Sequence, residues 1–154
     1  MYKGNSNKFN VLLADDDIDD CSFFKKALEE LQLSVQLTVV HDGEELMKYL
    51  EKNSAHLPDL LFLDLSMPRK TGFECLTEIK ENEKYKSLPV TVFTTSFARG
   101  IEFEQSLANT LTGIGAEEYI RKPGNFEQLK WIIHQTITRV QKREILTDTD
   151  KILD

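Results

Sequence analysis

Short apolar segments alternate five times with longer amphipathic segments along this chain of 154 residues. The apolar segments predict strands at residues 9–14, 35–40, 59–63, 90–94 and 116–120. The amphipathic segments predict helices at about residues 18–31, 44–51, 73–81, 98–112 and 126–143. Strict alternation of strands and helices is typical of a parallel sheet with helices on both faces. The sequence therefore predicts a single α/β domain with a five-stranded parallel sheet.

The composition and charge of the chain argue against several classes of protein. The net charge of -7 argues against a broad nucleic-acid-binding surface, and no apolar stretch is long enough to span a membrane. Residues 1–8 lack the apolar core of an export signal, and Cys21 and Cys75 lack metal-ligand spacing. We therefore expect a cytoplasmic protein with a flexible segment at residues 1–8, a domain at 9–143 and a mobile acidic tail at 144–154.

Acidic residues directly follow two of the predicted strands. Asp15, Asp16 and Asp17 follow the first strand, and Asp64 follows the third. Carboxyl ends of neighbouring parallel strands meet at one edge of a sheet, so these side chains should lie close together. Carboxylates packed closely repel one another unless a cation compensates them. Their hard oxygen atoms predict a Mg2+ or Mn2+ site, in which Asp16 and Asp64 bind the ion and Asp15 binds it directly or through water.

Two further polar residues fall at strand ends. Thr94 ends the fourth predicted strand with a hydroxyl donor, and Lys122 follows the fifth with an ammonium group. Either residue alone is usually an ordinary strand or turn residue. Together with a carboxylate nucleophile at Asp64 and a divalent cation, however, they form a set that suits in-line phosphoryl transfer to that carboxylate.

Four motifs extend this interpretation. In chain order they are VLLADDD at residues 11–17, LFLDLSMPRKTG at 61–72, PVTVFTTS at 89–96 and YIRKP at 119–123. With these motifs the chain resembles the receiver domains of two-component response regulators. The resemblance implies a flavodoxin-like, doubly wound three-layer sandwich. It implies that Asp64 accepts a phosphoryl group from a histidine kinase or a histidine phosphotransfer protein, and that Lys122 pairs with that group.

The resemblance also assigns roles to the remaining site residues. It implies that Asp15, Asp16, Asp64 and the backbone carbonyl of Ser66 hold Mg2+. Thr94 corresponds to the switch hydroxyl of the family and Tyr119 to its switch aromatic residue. Phosphorylation would draw Thr94 toward the site and let the Tyr119 ring turn inward, which changes the surface of the fourth helix, fifth strand and fifth helix.

The implied activity is signalling rather than enzymatic turnover. The only chemistry expected is Mg2+-dependent autophosphorylation and autodephosphorylation within a phosphorelay. No output domain follows in this sequence, so we expect a single-domain regulator that acts by protein contact or onward phosphoryl transfer. A homodimer through the fourth helix, fifth strand and fifth helix is a further expectation, whereas binding to nucleic acid or membrane is not expected.

One departure from the family pattern and two alternative functions stay open at this stage. Thr94 and Lys122 are 28 positions apart, more than is usual for the family. The extra length lies within residues 96–115 and predicts either an added helical turn packed on the domain or a partner-contact surface. The alternatives are a phosphorylation-independent interaction module and a haloacid-dehalogenase-type phosphatase with Asp15 as its nucleophile.

Overall fold

The computed structural model describes residues 8–95 and 100–153, with side chains described as far as residue 143. Its strands are β1 (Phe9–Ala14), β2 (Val35–Val40), β3 (Leu60–Leu63), β4 (Val90–Thr94) and β5 (Glu118–Arg121). Its helices are α1 (Ile18–Leu31), α2 (Gly43–Lys52), α3 (Gly72–Glu81), α4 (Ile101–Ile114) and α5 (Phe126–Leu153). Residues 1–7 of the segment expected to be flexible, and residues 96–99 of the segment with extra length, lie outside the described part of the chain.

The five strands form one parallel sheet in the order β2-β1-β3-β4-β5. The register aligns Ala14 with Leu63, and Leu63 with Val92, so β1, β3 and β4 end at the same edge. The chain order reverses between β1 and β3, where the helices that follow these two strands diverge to opposite faces. Ligands of doubly wound sheets bind at such a switch point. The predicted fold class is confirmed.

Two hydrophobic layers hold the helices on the sheet. Leu61 and Leu63 of β3 belong to a cluster shared with α2, α3 and α4, whereas Leu60 and Phe62 belong to a second cluster shared with α1 and α5. Successive residues of a strand point to opposite faces, so a strand buried on both sides must be apolar throughout. This requirement explains why the segment before Asp64 is a continuous apolar run.

Polar residues cap the first turns of α1, α2 and α3. Asp17 caps α1 by accepting the backbone N–H of Asp20 at 3.0 Å, and Asp42 caps α2 through the N–H of Glu45 at 2.8 Å. Thr71 forms a capping box at the start of α3. Such caps satisfy N–H groups that the helix itself leaves unpaired. They fix the first turn of each helix relative to the sheet edge.

The last helix differs from its predicted extent. Its predicted end near residue 143 is wrong, because α5 continues to Leu153 and the backbone of residues 144–153 is helical. The acidic tail at residues 144–154 stays a prediction. The physical reason is that no proline or glycine follows Gly124 to stop the helix. Within the described residues, none of the helices combines the length and apolar character needed to cross a bilayer.

The described part of the segment with extra length contains α4 (Ile101–Ile114), which has 14 residues. It starts after Gly100 (φ 94°) and ends before Gly115 (φ 135°), and both angles strongly favour glycine. Leu111 is fully buried and Leu107 packs on the same cluster, whereas Ile101 is exposed. Part of the helix therefore packs on the domain, and its N-terminal turn presents an apolar side chain to solvent.

Candidate functional site

The predicted site residues converge at the carboxyl edge of the sheet. Backbone hydrogen bonds continue the sheet beyond the strand ends: Asp15 N–H donates to Val40 O at 3.0 Å, Asp64 N–H to Ala14 O at 3.0 Å, and Lys122 N–H to Thr94 O at 2.8 Å. These bonds hold the first residue after each strand in register with its neighbour. The side chains that follow are therefore placed by the sheet rather than by the loops.

Asp64 lies in the middle of the edge and is 5% exposed. Its Oδ1 accepts the Thr94 hydroxyl at 2.7 Å and the backbone N–H of Ser66 at 3.3 Å. Its Oδ2 is 3.8 Å from Lys122 Nζ. Oδ1 is thus held by two hydrogen bonds, while Oδ2 faces the Lys122 ammonium group.

Gly72 permits the close return of the loop that follows Asp64. Its N–H donates to Leu65 O at 3.0 Å, and a Cβ atom at this position would lie 2.3 Å from the backbone oxygen of Asp64. No side chain fits in that space, because the obstructing atoms are backbone. The glycine therefore lets α3 begin directly against the backbone of the site.

Three carboxylates form a compact group of oxygen donors. Ligand atoms of Asp15, Asp16 and Asp64 all lie within 4.8 Å of one another. Asp15 is 1% exposed, whereas Asp16 is exposed to solvent. Hard, negatively charged oxygens with one side open to water are the donor set that Mg2+ and Mn2+ prefer. The residues present therefore fit the divalent cation that the sequence predicts.

Burial makes Asp15 an unusual carboxyl group. Desolvation raises the pKa of Asp15 from 3.8 to about 6, although hydrogen bonds from Lys122 and from the Asp17 N–H favour its ionised form. The Asp17 N–H lies 2.9 Å from Oδ1, and Lys122 Nζ lies 2.6 Å from Oδ2. The ionised form of Asp15 is thus stabilised by the Lys122 ammonium and the Asp17 N–H, which act against desolvation.

Lys122 is surrounded by carboxylates. Its side chain is 10% exposed, and its Nζ donates to Asp15 at 2.6 Å and to Asp20 at 2.8 Å. Burial disfavours the ammonium form, but these hydrogen bonds outweigh burial and the pKa of Lys122 lies above its usual value. Asp20 was not predicted as a site residue. The sequence feature that could have identified it is its position in the first turn of α1, three residues after the cap Asp17.

Tyr119 lies on β5 beside Val92 of β4 and packs on the cluster that includes α4. Its hydroxyl is buried and has no hydrogen-bond partner among the residues that the structure describes. Burial raises the pKa of the Tyr119 phenol. The side chain is thus partly buried against this cluster, and burial of its hydroxyl without a partner among the described residues costs free energy.

Comparisons with known proteins agree with this architecture. The family "Response regulator receiver domain" matches residues 11–134. The chain is 29% identical over 130 residues to the probable methanogenesis regulatory protein FilR2 of Methanothrix harundinacea. This alignment covers 82% of the chain and 80% of FilR2. It is also 34% identical over 90 residues to the response regulator Rcp1 of Synechocystis, in an alignment that covers 56% of the chain and 61% of Rcp1.

Solved structures show the same fold. The phosphorylated cyanobacterial phytochrome response regulator RcpA superposes with a TM-score of 0.71 at 31% identity, covering 82% of this chain and 89% of RcpA. The Mn2+-bound form of Rcp1 superposes with a TM-score of 0.70 at 27% identity, with the same coverage of 82% and 89%. One of these relatives is thus described as phosphorylated and the other as binding a divalent cation.

Proposed function

The chain belongs to the response regulator receiver domain family, and from that premise we propose that Asp64 is its phosphoacceptor. Members of this family are signalling domains that interact with histidine kinases or histidine phosphotransfer proteins. The observation that carries the proposal is the position of the Asp64 carboxylate. It lies between the Thr94 hydroxyl at 2.7 Å, the Lys122 ammonium at 3.8 Å and the carboxylates of Asp15 and Asp16.

The transfer step uses an Asp64 oxygen as nucleophile. That oxygen attacks the phosphorus of a phosphohistidine donor, so an O–P bond forms while the P–N bond breaks. The departing imidazole nitrogen keeps the electron pair of the broken bond and takes up a proton. Thr94 and Lys122 donate hydrogen bonds to the phosphoryl oxygens. Autodephosphorylation is attack by water on the same phosphorus, which releases phosphate and regenerates the Asp64 carboxylate.

We assign a Mg2+ or Mn2+ ion to Asp15, Asp16 and Asp64, with the backbone carbonyl of Ser66 as a further ligand. The clustering of the three carboxylates and the Mn2+-bound form of Rcp1 support this assignment. When bound, such an ion supplies positive charge that offsets the charge of the phosphoryl oxygens. The protein contributes the positions of its ligands at the ends of two neighbouring strands, β1 and β3.

The proposed output is a shift between two packings. Thr94 already reaches Asp64, so added phosphoryl oxygens compete for its hydroxyl, and Tyr119 lies on the neighbouring strand next to α4. The surface of α4, β5 and α5 then carries the signal by protein contact, including a homodimer, or the phosphoryl group moves onward. We propose a cytoplasmic receiver domain at residues 9–143 that binds neither nucleic acid nor membrane.

The first test is intact-mass measurement after incubation with Mg2+ and a small phosphoramidate donor. We expect one phosphoryl adduct on the wild type and none on Asp64→Asn. Asp19→Asn is a matched control, because Asp19 is an exposed aspartate of α1, and it should be labelled like the wild type. Absence of an adduct on the wild type would favour a phosphorylation-independent module.

The same measurement tests the phosphatase alternative. If Asp15 were the nucleophile, Asp64→Asn would still be labelled, with the adduct at Asp15. The comparisons favour the receiver function over both alternatives, and Asp15 is buried with both oxygens engaged by Asp17 N–H and Lys122.

A further inference from the structure

Lys122 is more closely bound to a residue of α1 than to the proposed phosphoacceptor. Its Nζ is 2.8 Å from Asp20 Oδ2 but 3.8 Å from Asp64 Oδ2. The role proposed for Lys122 requires its ammonium at the phosphoryl group on Asp64. Asp20 is therefore a third carboxylate, besides Asp15 and Asp64, that shares this one positive charge.

Two hydrogen bonds from backbone N–H groups to aspartate side chains hold Asp20 at the site. The Asp17 N–H donates to Asp15 Oδ1 at 2.9 Å, and Asp17 Oδ1 in turn accepts the Asp20 N–H at 3.0 Å. The start of α1 is thus tied to the end of β1. Asp20 itself caps nothing in this arrangement, so its carboxylate is available to reach Lys122.

Asp20 lies at the margin of the site. Its side chain is 35% exposed, whereas the Lys122 side chain is 10% exposed, and Asp20 is not part of the carboxylate group proposed to hold the cation. An ion pair with one largely buried partner is screened less than a surface pair. The negative charge of Asp20 therefore interacts strongly with the Lys122 ammonium, the group proposed to bind the phosphoryl oxygens.

We propose that Asp20 is a positioning residue that competes with phosphorylated Asp64 for the Lys122 ammonium. The inference rests on the proposed function and names a residue that regulates it. An ammonium group has three N–H donors, so Lys122 can contact Asp15, Asp20 and one phosphoryl oxygen together. Its single positive charge is nevertheless shared, and pairing with the Asp20 carboxylate offsets part of the charge that would otherwise attract a phosphoryl oxygen. Asp20 thus weakens the hold of the site on the phosphoryl group.

The test uses beryllofluoride, a phosphoryl mimic, titrated at saturating Mg2+ and followed by 19F NMR. Asp20→Asn keeps the shape and an oxygen acceptor but removes the charge. We expect it to bind beryllofluoride about three- to tenfold more tightly than the wild type, the range that loss of one partly screened charge allows. Asp20→Glu restores the charge and should bind within about twofold of the wild type. Asp19→Asn, the same charge change one residue away, should also match the wild type.

A double-mutant cycle separates positioning of Lys122 from a general charge effect. In a Lys122→Met background, Asp20→Asn should no longer increase the affinity for beryllofluoride. An equal gain with and without Lys122, or a gain in Asp19→Asn as large as that in Asp20→Asn, would overturn the inference. Unchanged affinity in Asp20→Asn would overturn it as well.

Phosphoramidate labelling distinguishes this failure from failure of the proposed function. A wild type that is labelled on Asp64, together with an Asp20→Asn variant of unchanged affinity, would refute the role of Asp20 alone. A wild type that neither forms the adduct nor binds beryllofluoride would refute both the phosphoacceptor and the competition for Lys122.

Discussion

Asp15→Asn should remove a specific pH dependence from the stability of the metal-free protein. Asp15 is 1% exposed, and desolvation raises its pKa from 3.8 to about 6. In the unfolded chain the same carboxyl group ionises near its ordinary value. Between these two values the folded protein keeps a proton that the unfolded chain has lost. Ionisation of Asp15 thus costs free energy only in the folded state.

The sign follows from this difference in bound protons. Where the folded state binds more protons, the free energy of unfolding decreases as the pH rises. The stability associated with neutral Asp15 is complete below pH 3.8 and is lost as the pH rises through about 6. One pKa unit corresponds to about 1.4 kcal/mol, so the total loss is roughly 3 kcal/mol.

The assay is urea unfolding in the presence of a chelator, at a series of pH values from about 3 to about 8 on either side of the Asp15 transition. Asn does not titrate, and its altered hydrogen bonding to Lys122 and to the Asp17 N–H changes little with pH. The difference in unfolding free energy between variant and wild type should therefore move by roughly 3 kcal/mol in favour of the variant across this range. Asp19→Asn, at an exposed position, is the matched control and should show a much smaller movement.

A flat difference would refute the conclusion that burial dominates the environment of Asp15. A movement in the opposite direction would show that Lys122, 2.6 Å away, compensates more than the whole desolvation cost. In that case the folded state would favour the carboxylate, and the wild type would gain stability relative to the variant as the pH rises.

Three further predictions concern the cation, the switch and the loop. Asp16→Ala should weaken Mg2+ binding by more than about tenfold in a titration, because it removes one of three clustered carboxylates; unchanged affinity would contradict the metal site. Tyr119→Phe should raise the free energy of unfolding in urea by about 1 kcal/mol, since it removes a buried hydroxyl that lacks a partner among the described residues. A decrease in the unfolding free energy would show that the Tyr119 hydroxyl makes a stabilising hydrogen bond in solution. Gly72→Ala should lower the free energy of unfolding by about 2–3 kcal/mol, because a Cβ at this position would lie 2.3 Å from the backbone oxygen of Asp64. Gly113→Ala is the control and should not lower the free energy of unfolding, because open space surrounds the Cβ position there.

Sequence patterns were sufficient for the architecture and for the strand-end residues. Continuous apolar runs predicted the buried strands, and strict alternation with helices predicted the parallel sheet, which the structure confirms. Asp15, Asp16, Asp64, Thr94 and Lys122 meet at one edge because parallel strands all end there. Their roles in phosphoryl transfer stay predictions. The end of α5 was misplaced, since an acidic composition does not stop a helix that meets no proline or glycine.

What the sequence determined by itself is local: which segments are buried on both sides, and which side chains follow them. The contact between Asp20 and Lys122 joins residues 102 positions apart, and no periodicity encodes it. It arises because the Asp17 cap orients the first turn of α1 while the sheet register places the residue after β5 opposite that turn. The raised pKa of Asp15 likewise required the tertiary structure, because desolvation depends on which atoms surround a carboxyl group and not on which residues precede it.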